Sequence, residues 1–182
     1  MLNFPIYLDH NATTPCDPRV VDAMIPYFTN NFGNAASRNH PFGWQAEEAV
    51  DYAREQVAKL IGADPKEIIF TSGATEADNL ALKGVFEMYA SKGNHIITCN
   101  IEHKAVLDTC KHIEKEGGEV TYLKVKDNGL IDLAELEAAI KPNTILIALM
   151  YANNEIGTVM PMKEIRAIAK KHGVLVFSDA VQ

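Results

Sequence analysis

Four short stretches of this chain carry residue types able to do chemistry, and each stands directly after an apolar run. Thr71-Ser72-Gly73-Ala74-Thr75-Glu76 follows Ile68-Ile69-Phe70. Asn100-Ile101-Glu102-His103-Lys104 follows His95–Cys99. Tyr151-Ala152-Asn153-Asn154-Glu155 closes the run from Ile145, and Ser178-Asp179-Ala180-Val181-Gln182 follows Val174–Phe177. In the first stretch, small residues and hydroxyls open a helical pattern. Free N–H groups and the helix dipole make such a turn an anion site, and an ordinary Ser or Thr N-cap accounts for the same residues equally well. The stretch matches neither a P-loop nor a GxGxxG motif. His103 offers an imidazole at a strand end, for proton transfer or for structure. The paired asparagines suit a turn or hydrogen bonds to a ligand. Asp179 is a carboxylate that is costly to bury unless it meets a cation. Each signal is weak alone; their common position, past the carboxyl ends of strands, is where open α/β sheets bind ligands.

The elements that must position these residues follow from the apolar pattern. Strands are predicted at Ile68–Thr71, His95–Cys99, Val120–Val125, Ile145–Tyr151 and Val174–Phe177. Amphipathic segments separate them. Ala77, Leu80, Ala81, Gly84 and Met88 form the stripe of 75–90, and Val106, Cys110 and Ile113 fall in step on another helix. Leu133, Leu136 and Ile140 share a face behind the capping-box-like pair Asp132 and Glu135. Ile165, Ile168 and Ala169 do the same in 163–172, and Gly173 supplies the stop. Strands apolar on both faces imply an α/β fold, a three-layer α/β/α arrangement with a mainly parallel sheet. Residues 1–67 differ: a strand-like Ile6-Tyr7-Leu8, a loop, a helix beginning near Asp17-Pro18, a Gly/Asn/Ser-rich stretch at Phe32–Asn39, and a helix from about Trp44 to Ile61. That last helix carries Val50, Ala53, Val57 and Leu60 on one face, and Gly62 ends it. The expected organisation is an N-terminal helical arm or small-domain portion, 1–67, and a partial ligand-binding large domain, 68–182.

Composition narrows the function. The chain has 182 residues, 47% hydrophobic and 23% charged, with a net charge of −7. That is ordinary for a globular protein with a sizeable core. No basic cluster points to nucleic acid, no apolar run reaches membrane-spanning length, and Met1-Leu2-Asn3-Phe4-Pro5 lacks the features of a signal peptide. A cytoplasmic location is expected. Cys16, Cys99 and Cys110 have neither disulfide nor zinc spacing, so no metal site is expected. Cys99 and Cys110 read as packing residues, and Cys16, in a loop, is the one reactive candidate.

Taken in order, Leu8-Asp9-His10-Asn11-Ala12-Thr13-Thr14-Pro15, Phe32-Gly33-Asn34, Thr71-Ser72-Gly73-Ala74-Thr75-Glu76, Glu102-His103-Lys104-Ala105-Val106, Asn153-Asn154-Glu155-Ile156-Gly157 and Asp179-Ala180-Val181-Gln182 resemble the NifS/IscS-like cysteine desulfurases. These belong to the class-V aminotransferase group of fold-type-I pyridoxal-phosphate enzymes. The resemblance runs over the whole chain and covers the N-terminal half of the family's length. It implies pyridoxal 5'-phosphate as cofactor. Ala74 and Thr75 would hold its phosphate, His103 would stack on the ring and assist proton transfers, Asn154 and Gln182 would bond the phenolic oxygen, and Asp179 would pair with the ring nitrogen. It implies L-cysteine as substrate, with L-alanine and an enzyme persulfide as products. It also implies a homodimer and a sulfur-accepting partner, an Fe–S scaffold or another acceptor protein. The same cradle serves selenocysteine lyases and other class-V enzymes, and a non-catalytic partner protein is the reading from a different class. The family's cofactor-linking lysine and persulfide cysteine belong to positions beyond Gln182. The expectation is therefore a cradle inactive by itself: part of a longer enzyme, half of a split enzyme, or a decayed paralogue.

Overall fold

The computed structural model describes residues 4–182; Met1, Leu2 and Asn3, part of the segment judged for a signal peptide, lie outside the described residues. Two compact units divide the chain, Met1–Phe70 and Thr71–Gln182.

In the first unit, α1 is Pro18–Thr29, opened by the Asp17 side chain, which accepts from the Arg19 N–H, and by a proline whose missing N–H costs nothing at that position. Helix α2, Pro41–Ile61, is capped by His40 and stopped by Gly62, whose φ of 71° is the left-handed turn that favours glycine. A short 3-10 helix, Pro65–Glu67, carries a full capping box from Asp64 and Glu67. The stripe expected on α2 is not its buried face: Ala46 and Ala58 are buried, whereas Leu60 is 86% exposed. Neither Ile6-Tyr7-Leu8 nor Ile68–Thr71 forms a strand. An apolar run becomes a strand only where a neighbour completes its backbone bonds, and among the described residues neither run has one. The Ile68 carbonyl instead accepts from the Arg54 guanidinium, which also lies over the Phe70 ring.

The second unit holds a parallel sheet of four strands in the order β2-β1-β3-β4. They are β1, His95–Cys99; β2, Glu119–Leu123; β3, Thr144–Ala148; and β4, Leu175–Phe177. β1 coincides with its apolar run, and β2, β3 and β4 are shorter than theirs, because ladder pairing stops before apolarity does. The helices are α3, Ala74–Met88; α4, Lys104–Lys115; α5, Leu133–Ala139; and α6, Met162–His172. Successive residues of β1 and β3 point to opposite faces, and both faces are covered. Ile97, Cys99 and Ile147 pack with Leu136 of α5 and with Ile165 and Ala169 of α6. Ile96, Leu146 and Ala148 pack with Leu82 of α3 and with Val106, Cys110 and Ile113 of α4. This is the predicted three-layer arrangement, with β1 and β3 buried along their whole length. Burial of each such Ile or Leu stabilises by about 1.5–3 kcal/mol. On α3 the buried face is Asp78 and Leu82, one step round from the expected stripe; Leu80 and Met88 face solvent.

At the amino ends of the strands, His95 crosses the sheet. Its Nδ1 meets Thr144 Oγ1 at 2.7 Å and its Nε2 meets Thr121 Oγ1 at 2.8 Å. The carboxyl ends of β1, β3 and β4 lie at the opposite edge.

Candidate functional site

Because the strands are parallel, the segments that leave β1, β3 and β4 emerge together. His103 stands four residues past β1, Asn153 and Asn154 follow β3, and Asp179 stands two residues past β4. The Tyr151 N–H donates to the Asp179 carbonyl at 2.8 Å, extending the β3–β4 pairing into this edge. Asp179 is partly exposed, and its Oδ1 accepts from the Val181 N–H at 3.1 Å.

The turn into α3 is not an ordinary side-chain cap. The N-cap is Gly73, and no side chain caps the helix. Ser72 is engaged elsewhere: its N–H and hydroxyl both donate to Glu76 Oε2, at 2.7 and 2.5 Å, which holds the Glu76 carboxyl below its ordinary pKa. The Thr71 hydroxyl donates to the Gly73 carbonyl. The Ser/Thr N-cap is therefore not what these residues build. Ala74 and Thr75, exposed in the first turn, present helix N–H groups without a side-chain cap.

His103 is itself the N-cap of α4, its Nδ1 accepting from the Ala105 N–H at 3.2 Å. That bond leaves Nε2 free of the cap and fixes the ring. Thr75 and His103 line one open cleft of about 320 Å³, together with Asn79, Lys83, Lys104 and His112. Asn154 is half-buried and within 3.4 Å of the Glu155 carboxyl; Gln182 is exposed.

Electrostatics tie these elements together. Asp78, on the buried face of α3, has its pKa pushed up to about 6, by burial first and then by the charge of Asp179, with His103 opposing. Asp78 of α3 thus lies within the fields of both Asp179 and His103. Glu102 is 5% exposed, and burial raises its pKa to about 7, with Asp179 and Asp78 adding to the rise. Asp78 Oδ2, Glu102 Oε2 and Ser178 Oγ are buried without a hydrogen-bond partner. Unsatisfied polar atoms concentrated at one edge fit a site whose ligand supplies partners. Among the described residues no group of three or more His, Cys, Asp or Glu is disposed to hold a metal ion.

The sequence reading gave no individual role to Asp78 or Glu102, and it took Asn153 only as one of a pair suited to a turn or to ligand hydrogen bonds. Asn153 is buried, donates to the Ile101 carbonyl at 2.8 Å, and accepts from the Glu155 and Ile156 N–H groups at 2.8 and 3.0 Å. Their signal was a polar residue in an otherwise buried register. Burial holds the Cys99 thiol far above its ordinary pKa and pushes Cys110 up to about 12, so neither is a thiolate near neutrality. Cys16 is exposed.

An open parallel sheet with its polar groups gathered at the carboxyl edge defines an α/β protein of the ligand-binding, doubly wound class. Within that class, the aminotransferase class-V model matches residues 6–182, and the chain belongs to that family, whose members depend on pyridoxal phosphate. The chain is 59% identical over 181 residues to the cysteine desulfurase IscS of Rickettsia massiliae, covering 100% of this chain and 44% of the relative. It is 59% identical over 183 residues to the IscS of Pectobacterium carotovorum subsp. carotovorum, covering 100% of this chain and 45% of that protein. Among solved structures, a NifS-like protein superposes with a TM-score of 0.93 at 44% identity, over 97% of this chain and 49% of the other. A structure described as SspA in complex with cysteine gives 0.91 at 42% identity, over 97% and 50%. The chain thus spans about half the length of the relatives it matches. Among the described residues no helix is long and apolar enough to cross a membrane.

Proposed function

We propose that this chain provides the cofactor-cradling part of a pyridoxal-phosphate-dependent cysteine desulfurase. Residues 68–182 would belong to the cofactor-binding large domain and 1–67 to an arm or small-domain portion. The observation that carries the proposal is geometric: the segments leaving β1, β3 and β4 emerge at one edge, the Tyr151 N–H holds the Asp179 carbonyl there, and Thr75 of α3 lines one cleft with His103. The uncapped turn at Ala74 and Thr75 suits the cofactor phosphate. Asp179 would pair with the protonated ring nitrogen, His103 would cover the ring and serve proton transfers through Nε2, and Asn154 and Gln182 would bond the phenolic oxygen. When bound, the cofactor supplies an electron-withdrawing ring that stabilises negative charge on a substrate carbon.

The substrate proposed is L-cysteine, in keeping with the IscS relatives and with the neighbour described in complex with cysteine. The proposal extends to a homodimer that hands sulfur to an Fe–S scaffold or another acceptor protein. The test begins with titration of the purified protein with pyridoxal phosphate, read by absorbance. Saturable binding that weakens in Asp179→Ala and is competed by inorganic phosphate is expected. No saturable binding would overturn the reading. The 182-residue chain alone, given L-cysteine and a reductant, is expected to form neither sulfide nor alanine above a cofactor-only control.

A further inference from the structure

We propose that Glu102 is a positioning residue for this edge: as an uncharged carboxylic acid it pins the turn carrying His103 to the carboxyl end of β3. The inference rests on the cofactor-cradle reading for its consequence, though its geometry stands without it.

Glu102 is the residue before His103, yet its side chain turns inward while His103 is exposed. Its Oε1 accepts from the Met150 N–H at 2.8 Å. Met150 lies two residues past β3, so the bond joins two segments 48 positions apart. The Cys99 thiol donates to the same oxygen at 3.0 Å, fixing it against the last residue of β1. Next along the chain, the Tyr151 N–H holds the Asp179 carbonyl. Through two consecutive backbone N–H groups of β3's extension, Glu102 and Asp179 are set in register. The Asn153 bond to the Ile101 carbonyl closes the same pair of loops from the other side. His103, Asn154 and Asp179 thus inherit their spacing from contacts centred on Glu102.

The uncharged form follows from the surroundings. No ion pair among the described residues includes Glu102. The titratable groups that face it are Cys99 from β1, Asp78 from α3, Cys110 from α4 and Asp179 beyond β4. None is a cation, and a buried carboxylate without a cation is costly. With Oε1 occupied by two donors, the proton belongs on Oε2, the oxygen without a partner. Burial and the two neighbouring aspartates keep it there up to about pH 7. A neutral Glu102 leaves Asp179 free of a second buried negative charge beside it.

Glu102→Gln preserves shape, acceptor and neutrality, and Glu102→Ala removes all three. Three readouts separate the possibilities. Amide hydrogen exchange at Met150 is expected to stay slow in Glu102→Gln and to accelerate in Glu102→Ala. The melting temperature of Glu102→Gln relative to the parent is expected to climb between about pH 4.5 and 7 and then level, because the parent's raised carboxyl loses its contribution across that window. Pyridoxal-phosphate affinity is expected to fall about tenfold or more in Glu102→Ala, as one buried N–H loses its acceptor, and to be retained by Glu102→Gln. A Glu102→Gln protein destabilised equally at every pH would show that folding does not raise the Glu102 carboxyl, so that it is ionised at neutral pH, overturning the inference. So would unchanged Met150 exchange in Glu102→Ala. If the parent binds no pyridoxal phosphate, the cofactor reading fails, while the exchange and pH measurements still decide the role of Glu102.

Discussion

The side-chain amide of Asn153 donates to the carbonyl oxygen of Ile101 at 2.8 Å, and so joins the segment leaving β3 to the segment leaving β1. The same side chain turns its oxygen toward the N–H groups of Glu155 and Ile156. One buried residue therefore satisfies three backbone groups that no strand or helix serves. Asn153→Ala is expected to destabilise the second unit by about 2–4 kcal/mol, since several buried groups lose partners at once. Urea unfolding followed by circular dichroism measures this directly. A change below about 0.5 kcal/mol, the range of ordinary surface substitutions, would mean that water replaces the amide without loss.

Asp179→Ala tests the pairing proposed for the ring nitrogen. Asp179 is partly exposed, so the lower end of the range for losing a charge partner applies, about 3 kcal/mol. If that loss is confined to the transition state, turnover by the active protein falls roughly a hundredfold. If it is felt on binding, affinity falls instead. Titration with pyridoxal phosphate and a kcat measurement divide the two, and near-normal values of both would refute the role.

How much was legible in the sequence varies with what each residue must satisfy. The strands β1 and β3 were evident because both faces are apolar, and the pattern His95–Cys99 is the strand itself. The helix stops at Gly62 and Gly173 were evident because left-handed turns select glycine. Ile68–Thr71 has the same apolar signature and is no strand, since pairing depends on a neighbour that local sequence does not record. The face of α3 was misjudged because its buried register begins with Asp78, and an aspartate reads as solvent-facing in any hydrophobic stripe. Asp78 and Glu102 drew no individual role for the same reason, whereas Asn153 was legible as one of a pair suited to a turn. The positions of His103 and Asp179 past strand ends were legible because each follows an apolar run. The bond of Ser72 to Glu76, which leaves the α3 turn uncapped, follows from a side-chain choice that spacing does not determine.

His95 predicts an acid limb in the stability profile. It is fully buried between Thr121 and Thr144, and burial, with Lys141 adding to it, lowers its pKa. A lowered histidine pKa means the native state holds the neutral ring while the unfolded chain takes up a proton. Its stabilising contribution is present above the ordinary value near 6.5 and is lost as pH falls below it. His95→Gln keeps a donor and an acceptor and cannot ionise. It is expected to be less stable than the parent at pH 7.5 and to lose less on passing to pH 5. Urea midpoints at the two values settle the point; parallel losses in the two proteins would show that another group governs the acid limb.

Asp78 predicts the opposite sign at the opposite edge of the sheet. Its carboxyl is 3% exposed, one oxygen has no partner, and its pKa rises from 3.8 to about 6 through burial and the charge of Asp179. The protonated form is favoured in the fold, so its contribution is complete below about pH 4 and is lost as pH rises through 6. At neutral pH the chain carries a buried negative charge that packing would rather exclude. Asp78→Asn removes that charge and is expected to gain about 1–3 kcal/mol over the parent at pH 7.5, with little gain at pH 4. Thermal melts of the two proteins at both values give the comparison. Filling the cradle with pyridoxal phosphate should shrink the advantage, because a protonated ring nitrogen beside Asp179 offsets the charge that raises Asp78. A variant that is less stable at pH 7.5 would show instead that the Asp78 carboxylate is held by a partner the native edge requires.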